Sequence, residues 1–224
     1  MQSIVRGYGC LAVLLTLVCT SPLAARESSP SWPDTPMSRT QALAELQTLN
    51  AQLLSHPSAT LTLEQWCAAH HLAPEAKVVA HRVRGKDKPL PDGARALLDI
   101  GPDEPVRYRR VALSCGEIVL SDADNWYVPA RLTADMNKQL DTSDVPFGKV
   151  VQALHFRRQT LSADLLWSPL PQGWDSGAPL PSPSDKPLTM PDHVLQHRAV
   201  LYTGDNRPFS LVVESYTRDV LAHH

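Results

Sequence analysis

The chain has 224 residues, 43% of them hydrophobic and 20% charged, with a formal net charge of −2. That is enough apolar material for one globular domain with its own core. The near-neutral balance excludes the general affinity for nucleic acid or for anionic membrane surfaces that a strongly basic chain would have.

In residues 1–25, Arg6 precedes an apolar run from Cys10 to Cys19, and small residues follow up to Ala25. This is the plan of a secretory signal peptide cleaved after Ala25. A membrane anchor is the alternative, but the run is shorter than the roughly 20 residues a spanning helix needs. Val18, not a small residue, precedes Cys19, which argues against lipid acylation there. The mature protein is therefore expected to be exported, in the periplasm, with no stable membrane insertion. Its two remaining cysteines, Cys67 and Cys115, could form a disulfide in an oxidising compartment or stay as buried thiols; the sequence leaves both open.

Residues 26–39 are rich in serine and proline and read as a flexible leader, with a single domain over 40–224. From Thr40, Leu43, Leu46, Leu49 and Leu53 recur at helical spacing. A short helix is expected over Leu63 to His70, capped by Thr62. AKVVAHRVRG reads as a strand, and Ala94 to Ile100 carries no decisive pattern. RYRRVALSC and EIVLSDADNWYVP form a hairpin turning at Cys115-Gly116, with Asp122, Asp124 and Asn125 as polar groups of a solvated turn or of a pocket mouth. RLTADMNKQLDTSD follows as a helix, and VPFGKVVQALHFRRQTL as a turn into a helix or strand. Residues 168–191 hold seven prolines and read as a long inserted surface loop. Two β-rich runs flanking GDNRP close the chain as a hairpin. Antiparallel hairpins with helices packed on one face of the sheet imply an α+β fold.

No phosphate-cradling glycine loop, dinucleotide fingerprint or nucleophile elbow is present. His70-His71 and the pair His193 and His197, the latter at the i, i+4 spacing of one helical face, lack the companion ligands of a zinc site. No metal is expected.

Two strands carry charge where apolar groups should be. In VRYRRVALSC, Tyr108, Arg110 and Ala112 share one face, and Arg109, Val111 and Leu113 the other. In SLVVESY, Glu214 shares a face with Ser210, Val212 and Tyr216. An unpaired charge in such a place is very costly. The arginine could pair with Glu214, or bind the carboxylate of a ligand, which suits its bidentate geometry.

The order of arginine strand, glycine turn, second strand ending at proline, Pro-aromatic-Gly turn and closing hairpin with a mid-strand glutamate resembles chorismate pyruvate-lyase. That family shares its fold with the ligand-binding domains of a large group of bacterial transcription regulators. The resemblance spans roughly residues 58–224, with the Pro-rich loop as an insertion. It implies that Arg110 binds an aromatic carboxylate and that Glu214 is the acid. It also implies ligand contacts from the backbone amides of Phe147, in VPFGK, and Leu61, in ATLT. The implied reaction uses no cofactor: chorismate loses pyruvate to leave 4-hydroxybenzoate, with Arg110 fixing the ring carboxylate. The resemblance places Glu214 near the departing ether oxygen or the ring hydroxyl, as a general acid or hydrogen-bonding partner. The rival readings are a non-catalytic carrier or sensor for a small aromatic carboxylate, and a structural domain in which the arginine and Glu214 merely pair.

Overall fold

The computed structural model describes residues 31–222, so the segment 1–25 and the first part of the leader lie outside the described residues. Residues 32–39 are not a flexible leader: Trp32 is buried and its indole Nε1 donates to the Leu221 carbonyl at 3.0 Å. Strand β1 (Pro33–Asp34) then leads to helix α1 (Pro36–Ser55). The helix starts a turn ahead of its leucine repeat because the Thr35 side chain accepts the Ser38 amide and Pro36 fits the first turn. Leu43, Leu46, Leu49 and Leu53 form its buried stripe, as their spacing predicts.

Helix α2 (Ala59–Ala69) also starts earlier than its pattern implied. Ser58 is the cap, and Thr62 lies inside the helix with its hydroxyl donating to the Ser58 carbonyl at 3.1 Å. This shift turns Thr60 and Leu61 from connecting coil into the first helical turn.

The remaining strands are β2 (Val78–Arg82), β3 (Arg107–Cys115), β4 (Ile118–Tyr127), β5 (Arg157–Leu165), β6 (Ser184–Pro187), β7 (His193–Tyr202) and β8 (Pro208–Thr217). Six of them form an antiparallel sheet in the order β2-β3-β4-β8-β7-β5, which makes the fold α+β. Both predicted hairpins are present. At the β3–β4 turn Gly116 has φ +55°, and a Cβ there would lie 2.9 Å from the Ala73 side chain, so the turn needs glycine. Within 168–191, β6 breaks the expected loop by pairing with β1.

Helices α1 and α2, with α4 (Ala134–Thr142) and α5 (Phe147–Val150), pack on one face of the sheet. The segment around α3 (Ala94–Leu97) covers one end of the other face over Trp126, Val200 and Leu211. Cys67 of α2 and Cys115 of β3 form a disulfide, with Cα atoms 6.5 Å apart. Among the described residues, no helix is long and apolar enough to cross a membrane.

Candidate functional site

Strand alternation and register decide which charged side chains meet. Arg109 is opposite Asn125, which is opposite Val212; one step along, Val111 faces Ala123, which faces Glu214. These residues share the helix-covered face, and with Leu201 of β7 and Arg158 of β5 they line a cavity of about 50 Å³. The first turn of α2 (Ser58 to Thr60) and the start of α5 (Phe147, Gly148) form its roof. The roof is tight, since a Cβ on Gly148 would lie 3.1 Å from Ser58 Oγ.

Arg109 is only 3% exposed. Its Nη2 donates to the Val145 carbonyl at 3.3 Å, and among the described residues its Nε has no partner and it forms no ion pair. Burial, followed by the neighbouring Arg82, pulls the guanidinium down to about 10, so it still carries its charge at neutral pH. Above it, first-turn amides of α2 have no intrahelical acceptor, and the positive end of the helix dipole adds to the same field. The end of the cavity at Arg109 is therefore electropositive and short of an anion.

The other end is balanced. Arg158 Nη2 donates to Glu214 Oε2 at 2.6 Å, and the Tyr216 hydroxyl donates to the same oxygen at 3.3 Å. Burial pulls the Arg158 guanidinium down, but Glu214 and Tyr216 more than offset it and the net shift is upward. Beside Glu214 across the β7–β8 pair is His197, fully buried, with Nε2 2.8 Å from Asn50 Oδ1 of α1. Burial and the nearby Arg158 push its imidazole down to about 4, so it is neutral.

The residues singled out from the sequence divide between these places. Glu214 and Phe147 line the cavity. Arg110 does not: it points to the opposite face, where its register partner Asp124 lies at 4.0 Å. Asp124 also takes Lys88 and the Tyr108 hydroxyl, both at 2.5 Å. The arginine in the cavity is Arg109, one residue away. Leu61 does not line the cavity, and its backbone amide is taken by Ser58 Oγ at 3.4 Å. Of the two readings for Asn125, a solvated turn or a pocket mouth, the turn does not hold: it is on strand β4 and lines the cavity. Arg158 went unnoticed because its segment could be read as helix or strand. His193 and His197 lie on strand β7 and not on a helix, and His193 turns away to Asp122 at 2.8 Å. Among the described residues, no group of three potential metal ligands exists.

Comparison with known proteins adds a relative. The chain is 56% identical over 212 residues to the uncharacterized protein y4mC of Sinorhizobium fredii, covering 93% of this chain and 90% of y4mC. It belongs to the y4mC family. No family model matches. Among solved structures, the y4mC-family chain is similar to PhnF from Mycobacterium smegmatis, with 14% identity and a TM-score of 0.48 over 76% of this chain and 68% of PhnF. It is also similar to the ligand-binding domain of a Bordetella bronchiseptica regulator assigned to the GntR family, with 18% identity and a TM-score of 0.40 over 66% and 89%. The likeness to YydK from Bacillus subtilis has 16% identity and a TM-score of 0.38 over 64% of this chain, and spans 59% of the length of YydK.

Proposed function

We propose that this chain is an exported domain that binds a small aromatic carboxylate, with the carboxylate on Arg109. The observation that carries this reading is a buried guanidinium whose described partner is one long bond to a backbone carbonyl. Such a group is costly unless an anion completes it, and a carboxylate does so with charge-assisted bonds. Apolar walls from Val111, Leu113, Leu201 and Val212, with Phe147 and Phe156, suit a ring. At about 50 Å³ the cavity argues against any ligand larger than one ring. Export is supported by the signal-like residues 1–25 and by the Cys67–Cys115 bond, since such bonds persist in oxidising compartments.

The resemblance to chorismate pyruvate-lyase requires Glu214 to act at a departing oxygen. Its Oε2 is already engaged by Arg158 and Tyr216, so we read the pocket as a receptor for a carboxylate rather than as a catalyst. Calorimetric titration of the mature domain with 4-hydroxybenzoate tests the reading, beside an absorbance assay of chorismate. Saturable binding that Arg109→Met abolishes, without pyruvate release, is the expected result. Pyruvate release from chorismate would restore the lyase, and no binding of any carboxylate would leave Arg109 a structural residue.

A further inference from the structure

Asn125 stands directly opposite Arg109 in the β3–β4 register, a spacing that brings the two Cβ atoms to about 5 Å. It is 5% exposed and lines the cavity. Its Oδ1 accepts the Ser210 hydroxyl at 2.6 Å, from the diagonal position on β8. With Oδ1 on Ser210, Nδ2 is a buried donor that has no partner among the described residues. The wall therefore presents two adjacent groups in want of an acceptor: a guanidinium and an amide NH₂ held in place by a serine.

The charge of the cavity sets a second condition. Of its three charged lining residues, Arg158 and Glu214 neutralise each other at 2.6 Å, which leaves the single positive charge of Arg109. One ligand carboxylate balances that charge. A dianion would bring a second negative charge with no second uncompensated cation among the described lining residues to balance it.

We infer that the pocket selects singly charged carboxylates, and that Asn125, oriented by Ser210, is the second donor to the carboxylate held by Arg109. This rests on the carboxylate-binding reading above and narrows it to monoanions, with a specificity-determining residue that the resemblance to the lyase family did not mark.

The test is calorimetry on the mature domain with three probes that share a benzoyl group: benzoate, its dianionic ortho-carboxylated relative phthalate, and neutral benzamide. Benzoate is expected to bind one to one, phthalate tenfold or more weaker, and benzamide not measurably. Asn125→Ala and Ser210→Ala should each weaken benzoate, the former about tenfold or more, as for a lost hydrogen bond to a charged group. Asn125→Asp, of the same shape, gives Arg109 a counter-ion within the protein. It should abolish benzoate binding while the melting temperature stays level or rises, which separates lost binding from lost folding. Phthalate binding as tightly as benzoate, or unchanged affinity in Asn125→Ala while Arg109→Met loses it, would overturn the inference and leave the carboxylate reading standing. Failure of every probe to bind wild type would overturn both.

Discussion

Arg158 and Glu214 are joined by a 2.6 Å ion pair that reaches from the edge strand β5 across β7 to β8, with side chains only 5% and 11% exposed. Such pairs contribute little net stability when whole, but removing one partner strands the other charge in the core. Glu214→Leu should therefore destabilise the domain by about 3–5 kcal/mol. The double variant Arg158→Met, Glu214→Leu should recover most of that loss. Urea midpoints for the four members of the cycle check this, and additive single and double effects would show that the two residues do not act as a pair.

Arg109 makes the opposite case, because its stabilising partner is a ligand. Arg109→Met should raise the stability of the unliganded domain by about 1–4 kcal/mol while removing carboxylate binding. Thermal melts without ligand measure the gain. A lower melting point would mean that the bond to the Val145 carbonyl, or another contact of the guanidinium, outweighs the burial of its charge.

His197 introduces a pH dependence whose direction is fixed by its environment. Its folded pKa is lowered to about 4 from 6.5, so the unfolded chain takes up a proton first as pH falls. Its contribution is complete above about pH 6.5 and is lost progressively down to about pH 4, on the order of 3 kcal/mol in all. Denaturation at pH 7 and pH 4.5 should show this loss in wild type, and a shallower slope in His197→Gln.

The Cys67–Cys115 bond closes a separation of 48 residues. Opening it should cost about 4 kcal/mol on chain-entropy grounds. Because it ties α2, which roofs the cavity, to β3, which carries Arg109, the Cys67→Ala, Cys115→Ala variant should lose carboxylate affinity as well as stability. Melting curves with and without reductant, and a benzoate titration of the variant, measure the two effects separately.

The sequence made the elements legible and left their contacts open. The leucine repeat of α1, both hairpins and the polar character of the Pro-rich loop follow from spacing and turn residues. The choice between Arg109 and Arg110 turned on register, and a one-residue shift moves a side chain to the other face. The buried run Val111, Leu113 and Cys115 was a usable signal for Arg109, since it places that face of β3 against the core. Glu214 was recognised as a charge in an apolar strand, but its partner lay 56 residues away on a segment whose type was undecided. Ser58, rather than Thr62, as the cap of α2 was equally hidden, because either residue can begin a helix.

The position of β8 has a kinetic consequence. The last strand of the chain lies inside the sheet, flanked by β4 and β7, while the second and fifth form its edges. The carbonyls just after it, on Val220 and Leu221, accept the indoles of Trp66 and Trp32 from near the start of the described chain. The sheet therefore cannot close, nor the helices complete their packing, until the residues up to Leu221 are in place. Non-local pairing of this kind slows folding. Until β8 pairs, β4 and β7 each keep an unfilled edge, so the closing of the sheet waits on the strand that comes latest in the sequence.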